Sequence, residues 1–182
     1  MRDQAKQQTI ITESKSWVER VVIGCNFCPF AGKAFIENKI HFEVVHSEAL
    51  NDQLESILLE LQRLDSRDDL ETTLILFPSQ FLEFESYLDF VSLAEGLLVA
   101  HDYEGVYQIA SFHPNYIFAG SDEDDPANFT NRSPYSMVHL LRESSVSKAV
   151  DLYPDVDAIP ERNIDFARKK GLEGMKKLLE KK

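Results

Sequence analysis

The six residues Thr72-Thr73-Leu74-Ile75-Leu76-Phe77 (TTLILF) form a continuous apolar run that ends at Pro78. A run of this length that is apolar at successive positions predicts a central strand, covered by helices on both faces. Proline ends such a strand because it has no N–H to donate to a neighbour. The sequence therefore predicts a sheet with this strand in its interior.

The segments around this strand alternate between strand and helix patterns. Before it, Lys39 to His46 predicts a strand, and apolar residues at helical spacing from Leu50 to Leu64 predict an amphipathic helix. After it, Phe81 to Ala100 predicts a largely buried helix, and Val106 to Phe112 predicts a third strand stopped at Pro114. Strands joined by connections this long usually run parallel.

The predicted fold class is α/β, with a single domain over residues 1–182. A small, mainly parallel sheet built from consecutive βαβ units is covered by helices, and the core spans about residues 10–155. Further helices are predicted at Ile10–Ile23, Pro134–Glu143, Ser145–Val150 and Asn163–Leu179.

The charge of the chain is uneven. With 19 Lys+Arg and 31 Asp+Glu the protein is acidic, at a net charge of −12, which disfavours binding to the phosphates of nucleic acid. Residues 161–182, a predicted basic C-terminal helix, have eight basic and four acidic residues, a net +4 against −16 elsewhere. We expect this helix to dock on its own acidic body, or alternatively to bind a protein partner.

The ends and the apolar content of the chain predict its compartment. No apolar run approaches the roughly 18 residues of a transmembrane helix, so no membrane association is expected. The polar start MRDQAKQQT lacks the apolar core of a signal peptide. Two cysteines without a leader favour a reducing, cytoplasmic setting.

Candidate chemistry lies beyond the third predicted strand. Ligands of open α/β sheets bind at the carboxyl ends of the strands, here near Ser47, Ser79 and His113. The stretch from Ser111 to Glu143 is polar and irregular, and such stretches are commonly functional. A surface loop whose polar groups bond one another would have the same composition.

The segment Asn131-Arg132-Ser133-Pro134 has the pattern of a helix N-terminus. Ser133 suits the cap and Pro134 the first helical position. The free N–H groups and the Arg132 guanidinium would then bind a phosphate or carboxylate, with Asn115 and Asn131 orienting it. The alternative is that Arg132 only pairs with the acidic residues 122–125.

His113 is the candidate general acid or base, because imidazole exchanges protons near neutral pH. Asp124 or Asp125 would orient its ring or hold a divalent cation, although the acidic run lacks the ligand spacing of a calcium loop. No other cofactor is predicted. The alternative for His113 is a loop histidine bonded to a backbone carbonyl.

His139, Arg142 and Glu143 share one face of the helix predicted at Pro134–Glu143. Arg142, on this predicted helix face, is a further candidate for binding the substrate. His139 and Glu143, four residues apart, could offer two metal ligands, but an ordinary surface pair has the same spacing, and we predict no metal.

Cys25 and Cys28 form a C-x-x-C pair, which can cycle through a disulfide. Thioredoxin-like sites place this pair after a strand, whereas here it follows a helix that ends at Gly24. Cys28 alone, at the start of a short helix, could act as a nucleophile if His113 approached it. More often such a cysteine is a small buried apolar group.

A set of short motifs runs along the chain: Trp17-Val18-Glu19, Cys28-Pro29-Phe30-Ala31, Ala110-Ser111-Phe112-His113-Pro114, Phe118-Ala119-Gly120, Asp124-Asp125, Asn128, Thr130-Asn131-Arg132-Ser133-Pro134-Tyr135 and His139-Leu140-Leu141-Arg142-Glu143. Together they resemble the bacterial DUF1415 family over about residues 15–150. The resemblance implies a bacterial cytosolic setting and no particular reaction. It also implies that Cys25 is outside the shared chemistry, which leaves Cys28 alone.

The leading prediction is an enzyme, a hydrolase or group transferase, that acts on a small anionic substrate. Redox work fits less well, because the chain has no nucleotide-cofactor fingerprint such as G-x-G-x-x-G. The alternatives are a non-catalytic module that binds a ligand or a protein, and a thiol-dependent activity. The candidate catalytic residues are His113, Asp124, Asp125 and Cys28, and the candidate substrate-binding residues are Asn115, Asn131, Arg132, Ser133 and Arg142.

Overall fold

The computed structural model describes residues 2–153 and 155–180. These residues build a four-stranded sheet in the order β1-β2-β4-β3. The strands are β1 (Ile40–Val44), β2 (Thr72–Phe77), β3 (Tyr107–Phe112) and β4 (Ser136–Arg142). The three predicted strands are confirmed as β1, β2 and β3, and β2 is buried at every position.

Seven α-helices occur in the described part of the chain. They are α1 (Arg2–Trp17), α2 (Ala31–Ile36), α3 (Leu50–Ser66), α4 (Phe84–Ala100), α5 (Glu143–Leu152), α6 (Ile159–Lys170) and α7 (Leu172–Leu179). The helix α1 continues as a π-helical segment, Val18–Ile23, so the predicted first helix is confirmed with a wider final turn. Within residues 2–153 and 155–180, no helix has both the length and the apolarity needed to cross a membrane.

The sheet is mixed, which corrects the prediction of a mainly parallel one. β1 and β2 pair in parallel, but β4 pairs antiparallel with both β2 and β3. Because β4 opposes both neighbours, β1, β2 and β3 still point the same way. The crossover through α4 therefore skips one position, and β4 fills it.

The helix predicted over Pro134–Glu143 is wrong, since Ser136–Arg142 forms β4 and a helix begins only at Glu143. Met, Leu and Arg favour helix locally, but such preferences are weak. An empty position between β2 and β3 would leave two rows of backbone N–H and C=O groups without partners. Pairing on both sides outweighs the local preference.

Alternation along the strands builds two hydrophobic cores. One face of β2, with Ile75 and Phe77, packs beneath α3 and α4. The other face, with Leu74 and Leu76, packs beneath α1, the π-helical segment, α6 and α7. The apolar run that predicts a doubly covered strand is thus explained by helices on both faces.

The helix α4 is half buried, although its apolar sequence predicts a largely buried one. Tyr87 and Phe90 face the sheet, whereas Leu88, Leu93 and Val99 are exposed. An apolar sequence on every face of a helix therefore does not ensure that each face is covered.

The basic C-terminal segment packs on the body of the protein. It forms two helices rather than the single one predicted over Asn163–Leu179, because Gly171 at φ 75° separates α6 from α7. Met175 lies in the core, and Arg168 pairs with Asp125 at 2.7 Å. A protein partner for this segment stays a prediction.

Candidate functional site

A cleft of about 290 Å³ lies where the ends of β2 and β3 meet the start of β4. Its lining is Phe77, Pro78, Gln80, Phe81, Leu82, His113, Pro114, Asn115, Pro134, Tyr135 and Ser136. It lies at the sheet edge that the sequence predicts for a ligand, and two predicted site residues, His113 and Asn115, line it. Among residues 2–153 and 155–180, no Asp, Glu, Lys or Arg belongs to this lining.

Hydrogen bonds from side chains to the backbone tie the strand ends together beside this cleft. The Gln80 amide nitrogen, after β2, donates to the Ser47 carbonyl after β1 at 3.1 Å. Gln53 of α3 donates to the same carbonyl at 3.0 Å. Both glutamines are buried. The two glutamine side chains therefore hold this edge of the sheet in place through their hydrogen bonds to the Ser47 carbonyl.

His113 is 1% exposed and fully hydrogen bonded. Its Nε2 lies 2.7 Å from the Phe81 carbonyl oxygen, and its Nδ1 accepts from the Asn115 N–H at 3.0 Å. Because a carbonyl only accepts, Nε2 carries the proton and the ring is neutral. Burial lowers the pKa of His113, which favours this neutral form. Its role as an acid or base stays a prediction, and both ring nitrogens already have backbone partners.

Phe81 carries backbone strain at the cleft, since its φ of 54° is unusual for a bulky residue. In this conformation its carbonyl accepts from both His113 and the Ser136 hydroxyl, the latter at 3.1 Å. Its ring stacks on Phe90 with the centroids 4.4 Å apart. Strain of this kind costs about 1–3 kcal/mol and clusters at functional sites. No local pattern in the sequence marks this position.

Arg132 lies outside the lining of the cleft and holds the preceding loop. Its Nε donates to the Tyr116 carbonyl at 3.1 Å, and its Nη2 donates to the Glu123 carbonyl at 2.9 Å. The guanidinium also lies 4.5 Å from the centre of the Phe129 ring. Burial lowers the pKa of Arg132. These two bonds to backbone carbonyls use two of the five N–H donors of the guanidinium and fix its position beside the loop.

Asn128 organises the same loop and is fully buried. Its side-chain oxygen accepts from the Phe118 N–H at 3.0 Å, and its nitrogen donates to the Asp122 carbonyl at 2.8 Å. These bonds, with those of Arg132, favour the structural interpretation of the loop, in which its polar groups satisfy one another. A single asparagine among aromatic residues has no periodic signal that would reveal this role.

The three other predicted ligand-binding residues near the loop differ in their surroundings. Asn115 is exposed and lines the cleft. Asn131 donates from its amide to the Ser111 carbonyl at 3.3 Å. Ser133 caps no helix, because its buried hydroxyl donates to the Tyr135 carbonyl at 2.6 Å.

Neither Asp124 nor Asp125 is a hydrogen-bond partner of His113. Asp125 instead caps the short 3₁₀ helix at Pro126–Thr130 by accepting from Ala127, and it pairs with Arg168. The bonds from Arg168 and from the backbone lower the pKa of Asp125 to about 2. Asp124 is exposed.

Arg142 and His139 lie along β4, away from the cleft. Arg142 is paired in register with Tyr107, at the opposite end of the sheet from Ser136, and donates to the Tyr107 hydroxyl at 3.0 Å. His139 bonds the Thr72 hydroxyl at 2.7 Å. The shared helix face predicted for these residues does not form, and Arg142 does not contribute to the cleft.

Cys25 and Cys28 are free thiols. Cys25 packs against the core beneath α1 and α6, and burial raises the pKa of its thiol, which lowers the thiolate fraction. The His113 ring instead packs against Phe84 and Tyr87 of α4, on the other face of the sheet. A nucleophilic role for Cys28 stays a prediction.

Side chains of the types that bind metal ions lie close together on β1 and α3, and not in the acidic run 122–125. One atom from each of His41, Glu43 and Glu60 lies within 4.8 Å of the others. His41 and Glu43 come from β1 and Glu60 from α3, so their distance along the chain concealed the group. They are the described residues best placed to hold a metal ion.

Comparison with known proteins identifies a family but no activity. The family model described as "Protein of unknown function (DUF1415)" matches residues 9–177 of the 182-residue chain. No curated protein and no solved structure matches the chain.

Proposed function

We propose that this chain, which belongs to the DUF1415 family of unknown function, binds a small uncharged ligand in the cleft without catalysing a reaction. The observation that carries the proposal is the lining itself. It has aromatic, aliphatic and neutral polar groups and no ionised side chain. Its histidine bonds the backbone through both ring nitrogens.

The walls of the cleft suit an apolar or aromatic ligand. Phe81 and Leu82 offer apolar surface, and Asn115 offers an exposed carboxamide that could orient a polar group. The volume of about 290 Å³ lies at the small end of the range for ligand pockets, about 300–1,000 Å³. We expect a ligand no larger than a bicyclic ring.

The walls are also stiff, which favours binding. Pro78, Pro114 and Pro134 fix backbone angles around the opening, and the Phe81 carbonyl is clamped by His113 and Ser136. A site that is rigid before binding loses little conformational entropy when the ligand enters.

The activity predicted from the sequence, a hydrolase or transferase that acts on an anionic substrate, stays a prediction. The lining of the cleft supports it less than it supports binding of an uncharged ligand. An anion in this cleft would lose water without meeting a cation, which is costly. Arg132, the cation expected for it, bonds the carbonyls of Tyr116 and Glu123 instead. A thiol-dependent activity of Cys28 likewise stays a prediction.

Indole is a suitable neutral probe, with benzoate and inorganic phosphate as anionic comparisons. We expect indole at millimolar concentration to shift the backbone amide NMR signals of Gln80, Asn115 and Ser136, and phosphate to leave them unchanged. Leu82 is 73% exposed on the lining, so Leu82→Asp should weaken indole binding about fivefold, corresponding to about 1 kcal/mol.

The matched control is Leu59→Asp, since Leu59 is an exposed leucine of α3 outside the lining. This variant should bind indole as the wild type does. The proposal fails if indole leaves the cleft signals unchanged, if the two leucine variants behave alike, or if phosphate binds there in preference to indole.

A further inference from the structure

A histidine and two glutamates meet on the face of the sheet that α3 covers. His41 and Glu43 alternate along β1 and so project to the same face. Glu60 of α3 reaches the same place. The His41 Nε2 lies 3.4 Å from a Glu43 oxygen and 3.7 Å from Glu60 Oε2. This group belongs to no part of the cleft lining.

The spacing of these atoms matches a tetrahedral metal ion. Zn²⁺ binds nitrogen and carboxylate oxygen at about 2.0–2.2 Å, so neighbouring ligand atoms around it lie roughly 3.3–3.6 Å apart. The two separations from His41 are close to this range, and all three ligand atoms lie within 4.8 Å of one another. The imidazole and two carboxylates are ligand types that Zn²⁺ accepts.

The environment of Glu60 favours a cation at this point. Its side chain is only 2% exposed, and a buried carboxylate is costly unless it is compensated. Arg63 occupies one oxygen, Oε1, at 2.8 Å, while Oε2 faces His41. Apart from the imidazole, the two glutamates and Arg63 carry a net charge of −1, which attracts a cation.

The partners of Glu60 also hold it in a ligating orientation. The Thr73 hydroxyl donates to Oε2 at 3.3 Å, and Thr73 is the register partner of His41. Outer bonds of this kind orient metal ligands in known sites. The side chains of His41 and Glu43 are 28% and 34% exposed, so the fourth position of the ion would face solvent.

We propose that His41, Glu43 and Glu60 bind one Zn²⁺ ion through three protein ligands, with a water at the fourth position. β1 is an edge strand of the sheet, which gives the ion a path from solvent. The site is independent of the ligand proposed for the cleft, and neither proposal requires the other.

Titration of the full chain with Co²⁺ after removal of metals tests the site, because tetrahedral Co²⁺ absorbs visible light. One equivalent should produce this absorption, and one equivalent of Zn²⁺ should abolish it by displacement. His41→Ala, Glu43→Gln and Glu60→Gln should each weaken Co²⁺ binding at least tenfold, because each removes one ligand.

His46→Ala and Glu55→Gln are the matched controls, since His46 is an exposed histidine two residues after β1 and Glu55 is an exposed glutamate of α3. They should bind Co²⁺ as the wild type does. Glu60→Gln keeps the size of a buried side chain, and circular dichroism verifies that it folds; Glu43→Gln, at a half-exposed position, tests the same ligand set if it does not. The proposal is overturned if Co²⁺ gives no tetrahedral absorption, or if the ligand variants bind as the controls do.

Discussion

At the scale of residues, the polar groups chosen from the sequence are mostly bonded to the backbone. The sequence predicts Arg132 as a ligand of the substrate anion and His113 as the general acid or base. His113 does line the cleft, but Arg132 binds the carbonyls of Tyr116 and Glu123. A residue type shows which chemistry is available, whereas the partners of its polar atoms decide whether that chemistry is free to act.

His139 leads to a prediction on pH. The Thr72 hydroxyl donates to the Leu140 carbonyl, so its oxygen accepts from the His139 Nε2–H. Burial lowers the pKa of His139 to about 4, below the unfolded value of about 6.5. As the pH falls below about 6.5 the unfolded chain takes up a proton that the folded chain refuses, so stability falls until about pH 4.

We therefore expect the free energy of unfolding of wild type to fall by about 2 kcal/mol more than that of His139→Gln between pH 7 and 4.5. Urea unfolding at a series of pH values measures this difference. Between pH 7.5 and 9, where the imidazole is neutral in both states, the two curves should run parallel. Equal acid sensitivity in the two proteins would contradict the assignment of His139.

At the scale of elements, local pattern and tertiary demand agree for some segments and disagree for others. The strand β2 follows its pattern throughout, and α3 buries Ile57, Leu61 and Leu64 of its apolar stripe but exposes Leu50. β4 contradicts its pattern because its backbone pairs with β2 and β3 at once. The helix α4 keeps its predicted type, yet exposes Leu88, Leu93 and Val99.

The break between α6 and α7 is testable at Gly171. This residue has φ 75° and ψ 164°, a region that is essentially restricted to glycine. Gly171→Ala should lower the free energy of unfolding by about 1–3 kcal/mol. The control is Gly96→Ala in α4, where an added Cβ meets no atom within 4 Å.

Because alanine favours a helix interior over glycine, Gly96→Ala should raise stability by about 0.5–1 kcal/mol. Chemical denaturation of the two variants measures both changes. If Gly171→Ala is as stable as the wild type, the backbone at this break does not require glycine.

At the scale of the whole molecule, two cores on opposite faces of one sheet unite the chain from α1 to α7. The C-terminal helices contribute Ala167 and Met175 to the core that also contains Trp17. Trp17 in turn donates from its ring nitrogen to the Arg132 carbonyl at 3.1 Å, which joins the first helix to the loop before β4. The basic segment is thus attached by apolar packing as well as by charge.

The relative weight of packing and charge at the C-terminus can be measured. Met175 is 1% exposed, and Met175→Ala should cost about 2–5 kcal/mol through lost apolar burial and the cavity that remains. Arg168→Ala removes an ion pair that is exposed on the arginine side, so it should lower the free energy of unfolding much less than Met175→Ala does.

Thermal or urea unfolding of the two variants, at low and high salt, gives this comparison. Salt should have little effect on the stability that Met175→Ala loses, because salt does not screen buried apolar contacts. A larger loss for Arg168→Ala than for Met175→Ala would mean that charge, rather than packing, holds the C-terminal helices.

Periodicity within the chain was enough to place β1, β2 and β3, the helices between them, and the edge of the sheet where the cleft lies. These features depend on the alternation of apolar and polar residues over short distances and on the shared direction of strands that long connections join. Both can be inferred from the order of residues along the chain. The family was also identifiable from motifs, and the match over residues 9–177 confirms it.

Contacts between distant segments decided the rest. Ser136–Arg142 forms a strand because it pairs with both β2 and β3 in the position between them. The Arg132 side chain donates to a backbone carbonyl of the loop between β3 and β4. Folding also brought His41 and Glu43 to Glu60, across the turn from β1 into α3. Hydrogen bonds and ligand geometry depend on which atoms lie close together in the folded protein. The local sequence around each residue does not show which distant residues it will contact.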